Sequence, residues 1–157
     1  MIKALVPGSF DPITVGHLSI IERAAKMYGE VFVTVFINPD KTPRFSLDAR
    51  VEMIRAAVSH LENVRVDVDR GMLADYCAKN NITVAVKGAR NTVDFEYEKK
   101  MAEFNKDRNP SLDTVILFPE KDLEEVSSTA LFELIKSGKG YEKYVPDKAL
   151  PILKSLL

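Results

Sequence analysis

The most suggestive residues of the chain stand in segment 7–17, Pro-Gly-Ser-Phe-Asp-Pro-Ile-Thr-Val-Gly-His. Ser9 offers a hydroxyl group, and Gly8 lets a ligand approach the backbone closely. Gly16 and His17 begin a predicted helix, where free N–H groups and the helix dipole favour a phosphate. His17 could donate a hydrogen bond into the same pocket. The alternative is that Gly8 only serves a turn and that His17 is a surface histidine.

Three cations follow other predicted strands and suit an anionic ligand. Lys41 stands between two prolines that stiffen its loop, and lysine is an effective point charge for phosphate. Lys87 and Arg90 flank Gly88 in the run Lys-Gly-Ala-Arg, which is typical of an anion clamp, and Glu98 follows in the next helix. The alternatives are a solvated lysine and an exposed basic loop.

Hydroxyl side chains at Ser127, Ser128 and Thr129 stand at the start of the last predicted helix but one. They could cap that helix or present hydroxyl and N–H groups to a triphosphate. Two familiar phosphate loops are absent, since there is neither Gly-x-Gly-x-x-Gly after the first strand nor Gly-x-x-x-x-Gly-Lys-Ser/Thr. The sequence therefore argues against a Rossmann dehydrogenase and a P-loop NTPase.

The amino-acid composition excludes further classes of protein and of binding site. The chain has 157 residues, 46% of them hydrophobic, which suits one globular domain with a proper core. Its 22 basic and 23 acidic residues give a net charge of −1, so no nucleic-acid surface is expected. A single cysteine, Cys77, and two histidines leave no disulfide and no metal site built on Cys or His. The apolar runs are too short to span a membrane, and we expect a cytoplasmic protein.

The elements that must position these residues alternate along the chain. Runs of apolar and β-branched residues predict strands at 2–6, 31–37, 64–68, 83–86 and 114–118. Helical spacing predicts helices at 17–28, 47–61, 72–80, around 95–104, 128–137 and 147–156. This order predicts a single Rossmann-like α/β domain with a five-stranded parallel sheet and helices on both faces. Ligands bind such folds at the carboxyl ends of the strands, which the candidate residues follow.

Two short motifs support a family resemblance. The run 14–17, Thr-Val-Gly-His, resembles the (H/T)-x-G-H signature of the nucleotidylyltransferase superfamily, and the run 127–129 resembles its second signature. Over essentially its whole length the chain resembles the bacterial phosphopantetheine adenylyltransferases, most sharply at 7–12, 87–90 and 94–98. The resemblance implies one nucleotidylyltransferase domain over residues 1–157. Its activity would be transfer of the adenylyl group of ATP to 4′-phosphopantetheine, giving dephospho-coenzyme A and pyrophosphate.

The resemblance also implies roles for individual residues. His17, Lys41 and Arg90 would be catalytic, with His17 stabilising the transition state. Phosphopantetheine would be bound by Ser9, Lys41, Leu73 and Lys87. ATP would be bound by Ser9, Phe10, His17, Gly88, Ala89, Arg90, Glu98, Leu123, Glu124, Glu125, Val126, Ser127, Ser128 and Thr129. Mg²⁺ would arrive with the ATP phosphates, without protein residues as metal ligands, and the resemblance implies a homohexamer.

Some positions depart from the common family pattern. Ser9 stands where Thr is frequent, Lys87 where Arg is frequent, and Thr129 where a third Ser is frequent. The run 123–126, Leu-Glu-Glu-Val, replaces a stretch that is often aromatic-Ser-Phe-Ile. We therefore expect backbone groups to recognise adenine, and the two glutamates to point away from the triphosphate.

The sequence offers no plausible pair of a nucleophile and a general base, and adenylyl transfer does not require one. The nucleophile would be a phosphate oxygen that is already anionic, so no general base is required, and catalysis depends on positioning and electrostatic stabilisation. Two alternatives stay open. One is a related nucleotidylyltransferase that uses nicotinate mononucleotide or glycerol 3-phosphate as acceptor. The other is a nucleotide-binding regulator without catalytic activity.

Overall fold

Five strands form a single parallel sheet in the computed structural model, which describes residues 1–157. The strands are β1 (Lys3–Gly8), β2 (Glu30–Phe36), β3 (Val64–Asp69), β4 (Val84–Gly88) and β5 (Asp113–Leu117). Their order across the sheet is β3-β2-β1-β4-β5. The order reverses around β1, which pairs with β2 on one side and β4 on the other, and this opens a crevice above β1 and β4. The predicted sheet is confirmed.

Six α-helices connect and cover the strands. They are α1 (Val15–Met27), α2 (Leu47–Ala57), α3 (Leu73–Lys79), α4 (Thr92–Arg108), α5 (Ser128–Ser137) and α6 (Leu150–Ser155). Short 3₁₀ turns lie at Lys121–Leu123 and Glu142–Tyr144. No helix combines the length and the apolar character needed to cross a membrane.

Alternate residues of the buried strands feed two cores, one on each face of the sheet. Ala4 and Val6 of β1 join a large cluster that includes Ile21 of α1. Leu5, between them in sequence, joins a smaller cluster with Cys77 of α3. Because successive side chains of a strand point to opposite faces, helices cover both faces, as the sequence predicted.

Several predicted boundaries were wrong by a few residues. β4 continues through Lys87 and Gly88 because both pair with β5, so these two residues end the strand instead of following it. α2 ends at Ala57, and the Leu61 N–H bonds to the Val58 carbonyl in the turn that follows. The last helix begins only at Leu150, with a proline in its first turn, where proline is favoured.

The aromatic residues around positions 95–104 do lie on a helix, but they are not part of the core. Phe95, Tyr97, Met101 and Phe104 of α4 are all exposed. The buried positions of this helix are the polar residues Glu98 and Asn105. The exposed surface of α4 thus carries several apolar side chains, while Glu98 contributes a carboxylate to the interior.

Candidate active site

The carboxyl ends of β1 and β4 and the start of α5 enclose a cleft of about 320 Å³, here called the central cleft. It lies at the switch point of the sheet, where the sequence predicted a ligand. The predicted site residues that line it are Ser9, His17, Lys87, Gly88, Ala89, Arg90, Glu98, Leu123, Val126, Ser127 and Ser128. Residues from three separate loops, together with Glu98 of α4, therefore meet in one cavity.

His17 is fixed by a reciprocal cap at the start of α1. The Thr14 hydroxyl accepts the His17 backbone N–H at 3.2 Å, and His17 Nδ1 accepts the Thr14 backbone N–H at 2.9 Å. This is a capping box in which histidine takes the place of the usual Glu or Gln. Because Nδ1 accepts, the neutral ring carries its hydrogen on Nε2, which has no partner within the protein. The helix start thus aims one N–H donor into the central cleft.

The surroundings of His17 keep it neutral. Burial, followed by the nearby positive charges of Lys87 and Arg90, lowers the pKa of His17 from its ordinary 6.5 to about 4. The ring of Phe10 packs edge-on against it, with ring centroids 5.1 Å apart. At neutral pH His17 is therefore a hydrogen-bond donor without net charge, held beside two cations.

Acid should destabilise the fold through His17. Since the folded-state pKa lies below the ordinary value, the unfolded chain takes up a proton first as the pH falls. The stability linked to neutral His17 is complete above pH 6.5 and is lost as the pH falls through about 4. Urea denaturation should show wild type losing more stability over this range than His17→Gln, which keeps the cap acceptor but cannot titrate. Equal losses in the two proteins would contradict this assignment.

Arg90 and Lys87 enter the cleft already oriented by carboxylates. Arg90 Nε donates to Asp94 Oδ2 at 3.2 Å, and the Arg90 backbone N–H donates to the same oxygen at 3.2 Å. Lys87 Nζ lies 3.5 Å from Glu98 Oε2, and Glu98 is buried. Asp94 binds the Nε side of the guanidinium, so the two Nη groups stay available for a ligand.

The start of α5 offers a ligand mainly backbone N–H donors, because its two serine hydroxyl groups are already hydrogen-bonded within the protein. The Ser127 hydroxyl caps the helix by accepting the Ala130 N–H at 3.0 Å. The Ser128 hydroxyl donates to the Pro12 carbonyl at 2.8 Å. The backbone N–H groups of Ser128 and Thr129 have no acceptor in the protein, and they lie at the positive end of the helix dipole. Both readings of this triplet, cap and anion binder, are compatible with its geometry.

A second opening, here called the side cleft, adjoins the first. It has a volume of about 390 Å³ and contains two predicted site residues that the central cleft lacks, Lys41 and Thr129. Ser9 and Ser128 line both clefts, so the two openings adjoin at these two residues.

The remaining predicted residues lie outside both clefts. Phe10 is buried, and its ring packs tightly against Gly8, so that a Cβ on Gly8 would lie only 3.1 Å from the nearest ring carbon. Leu73 lines a separate cavity of about 60 Å³ that it shares with Lys87 and Glu98. Glu124 and Glu125 are exposed and line neither cleft. The residues assigned to the acceptor are thus distributed over three neighbouring cavities.

Three residues that the sequence analysis did not single out hold the loops of the site together. Both Asp11 carboxylate oxygens accept backbone N–H groups of the Lys41 loop, from Arg44 at 2.7 Å and Phe45 at 2.9 Å. Arg50 is buried and donates to the Ser9 carbonyl at 3.0 Å. Arg44 and Arg50 lie 33 and 41 residues from the positions they bind, so no local pattern could have revealed these contacts.

Comparison with known proteins gives this arrangement its family. A family model described as cytidylyltransferase-like matches residues 5–134. A phosphopantetheine adenylyltransferase from Heliobacterium modesticaldum is 45% identical over 150 residues, which are 96% of this chain and 89% of that protein. One from Symbiobacterium thermophilum is 43% identical over 146 residues, 93% of this chain and 90% of that protein. The chain belongs to the phosphopantetheine adenylyltransferase family. The resemblance found in the sequence is confirmed.

Solved structures extend the likeness of this phosphopantetheine adenylyltransferase family member to more distant enzymes. A bifunctional NMN adenylyltransferase/ADP ribose pyrophosphatase from Francisella tularensis superposes with a TM-score of 0.68 at 18% identity. A second structure of that enzyme, complexed with AMP and a Mn ion, gives 0.66. Each match covers 92% of this chain, while the chain spans 44% of the length of the bifunctional protein. The likeness shows a shared fold.

Proposed function

We propose that this chain transfers the adenylyl group of ATP to 4′-phosphopantetheine, giving dephospho-coenzyme A and pyrophosphate in coenzyme A synthesis. Family membership supports the reaction. The observation that carries the proposal is the meeting of two clefts at Ser9 and Ser128, beside the Nε2 donor of His17. Such a junction suits a reaction in which two phosphate-bearing substrates must meet. We take residues 1–157 as one nucleotidylyltransferase domain.

In this mechanism, a phosphate oxygen of the acceptor attacks the α-phosphorus of ATP. The bond from that phosphorus to the bridging oxygen of the β-phosphate breaks, and pyrophosphate leaves with the bonding electrons. The attacking oxygen is already anionic, so the protein has no proton to remove. The barrier is the approach of two anions, and the protein lowers it by orientation and fixed donors.

His17 is placed to act on charge that develops in the transition state. Its Nε2–H would donate to an oxygen of the α-phosphate, and the Thr14 contact fixes both the ring orientation and the tautomer. A neutral donor fits this role because the ring does not need to gain or lose a proton. Arg90 would contact the nucleotide phosphates, and the free N–H groups at the start of α5 would add further donors.

We assign the adenine to the part of the central cleft bounded by Leu123, the run 88–90 and Glu98. Neither Glu124 nor Glu125 lines this cleft, which supports the expectation that their charges stay away from the triphosphate. The acceptor phosphate would lie near Ser9, between Lys41 and Lys87. Its pantetheine arm would extend toward Leu73.

A divalent metal fits the site as a companion of the nucleotide. Nowhere do three or more His, Cys, Asp or Glu side chains come together in a way that could hold a metal ion. Mg²⁺ would therefore be held by ATP phosphate oxygens and water, which is its usual arrangement with phosphate substrates. When bound, it would reduce the negative charge that opposes attack.

Replacement of Lys41 by alanine should weaken the acceptor more than ATP. We expect the KM for phosphopantetheine to rise by about tenfold and kcat to fall, because the bound phosphate is also the nucleophile. Steady-state kinetics with each substrate varied in turn is the measurement. Lys139→Ala is the matched control, since Lys139 is an exposed lysine outside both clefts. If Lys41→Ala keeps the wild-type KM and kcat, then Lys41 is a solvated loop residue that does not bind the acceptor.

Pyrophosphate release with a panel of acceptors tests the function itself. We expect release with ATP and phosphopantetheine, and little with nicotinate mononucleotide or glycerol 3-phosphate. Preference for one of those two acceptors would favour the related nucleotidylyltransferase. ATP binding without release on any acceptor would favour the nucleotide-binding regulator.

We further propose a homohexamer in the cytoplasm, as the family resemblance implies. The exposed apolar side chains of α4, with the exposed Phe118 after β5, support burial against other copies of the chain. Sedimentation velocity should give a mass near six times 17.6 kDa. A monomer at micromolar concentration would contradict this proposal.

A further inference from the structure

The side cleft carries more positive charge than its own carboxylates compensate. Lys41, Arg44 and Arg50 line it, and Asp11 is its only acidic residue. None of the three cations forms an ion pair with a carboxylate anywhere in the chain. Both Asp11 oxygens already accept backbone N–H groups. Unpaired cations gathered in one concave site favour an anionic ligand.

The central cleft differs in this respect. Its two cations are both paired, Lys87 with Glu98 and Arg90 with Asp94. The excess positive charge of the whole site therefore lies in the side cleft, although Lys41 is the only one of its three cations to which the family resemblance assigns a role.

Arg44 is held across the side cleft by three contacts that do not involve a carboxylate. Its Nη1 donates to the Asp11 carbonyl at 2.9 Å, and its Nη2 donates to the Thr129 hydroxyl at 2.9 Å. The guanidinium carbon lies 5.3 Å from the centre of the Phe132 ring. A guanidinium has five N–H donors, so two bonds leave others free at a fixed orientation. The side chain is thus pre-organised for an anion at the start of α5.

Arg50 adds a buried positive charge to the wall of the side cleft. Only 6% of this residue is exposed, and its guanidinium donates to the carbonyls of Ser9 and Phe45. A buried charge of this kind is costly unless something compensates it. Two carbonyls compensate part of this cost, and a bound anion would compensate more.

We propose that Arg44 is a direct contact for a phosphoryl anion in the side cleft, with the buried charge of Arg50 reinforcing the site. Its place in the reaction rests on the proposed function. The anion would be either the pyrophosphate portion of the nucleotide or the phosphate of the acceptor, since both are phosphoryl groups that must approach Ser9 and Ser128. Arg44 would then bind the negative charge of the ligand, in addition to holding its loop in place.

Calorimetric titration of pyrophosphate into the full chain tests this without any turnover. We expect Arg44→Gln to weaken binding by about tenfold and Arg44→Lys by less, because lysine keeps the charge but loses the fork. Arg65→Gln is the matched control, since Arg65 also lies 5.3 Å from a phenylalanine ring, pairs with Glu30 and lines neither cleft. Thermal unfolding of each variant establishes that it is folded.

A second arm separates the two sources of the anion. Steady-state KM values for ATP and for phosphopantetheine are measured in the same variants. A loss confined to pyrophosphate and ATP assigns Arg44 to the nucleotide, and a rise confined to the phosphopantetheine KM assigns it to the acceptor; either supports a phosphoryl contact. Unchanged values for all three in folded Arg44→Gln, or equal losses in Arg65→Gln, would overturn the proposal. Pyrophosphate binding that depends on Arg44 in a protein inactive toward phosphopantetheine would refute the proposed function and leave this inference standing.

Discussion

Replacement of His17 by alanine is expected to lower kcat by about 10²–10³ while ATP still binds. Loss of one pre-organised donor to a developing oxyanion has an effect of about this size. Because the Nε2–H acts on charge that appears in the transition state, the Kd for ATP should change much less than kcat. Pre-steady-state turnover and calorimetric ATP titration are the two measurements.

The structural role of His17 must be separated from its chemical role. The alanine variant also loses the Nδ1 acceptor of the capping box, which should lower stability by about 0.5–2 kcal/mol. His17→Gln restores an acceptor for the Thr14 N–H, since glutamine is a normal capping-box residue. We expect this variant to recover stability but not turnover. Recovery of both together would mean that His17 acts only through the helix start.

Replacement of Arg90 by glutamine is expected to lower kcat/KM for ATP by about 100-fold. Two hydrogen bonds to charged phosphate oxygens are lost together, and such bonds contribute about 1.5–3 kcal/mol each. Arg90→Lys should lose about tenfold, because the charge remains while the planar fork and the Nε bond to Asp94 are lost. Steady-state kinetics in ATP is the measurement.

The control for Arg90→Lys is the opposite substitution, lysine to arginine, at Lys87. Lys87→Arg keeps a cation beside Glu98, so we expect near wild-type kinetics. Asp94→Asn removes the carboxylate that orients Arg90 and should cost a few-fold in kcat/KM for ATP. If Arg90→Lys and Lys87→Arg behave alike, Arg90 does not act as a fork.

The fold could be predicted from the sequence because its signals are local. Continuous runs of β-branched and aromatic residues, such as 31–36, mark strands buried on both faces, and helical spacing between the strands implies parallel connections. The site edge follows from the same order, since the carboxyl ends of parallel strands lie together. The misplaced boundary at β4 has a tertiary cause: pairing with β5 extends that strand through Lys87 and Gly88.

The electrostatic details of the site could not be predicted from local signals. The spacing of Thr14 and His17 matches a capping box, but histidine is not its usual partner, so the fixed tautomer emerges only from the geometry. The Arg44 side chain donates hydrogen bonds to both Asp11 and Thr129, and Thr129 lies 85 residues after Arg44 in the sequence. The exposure of the aromatic residues on α4 was equally hidden, because helical spacing does not say which face meets the core.

Direct transfer of the adenylyl group is tested most directly by the stereochemistry at the α-phosphorus. ATP carrying sulfur at that phosphorus in one known configuration is incubated with phosphopantetheine, and the configuration of the dephospho-coenzyme A product is determined. One in-line attack by the acceptor phosphate, with no nucleophile from the protein, predicts a sulfur-containing product of inverted configuration. Retention would require a covalent adenylyl-protein intermediate and would contradict the mechanism, and absence of the product would contradict the proposed function.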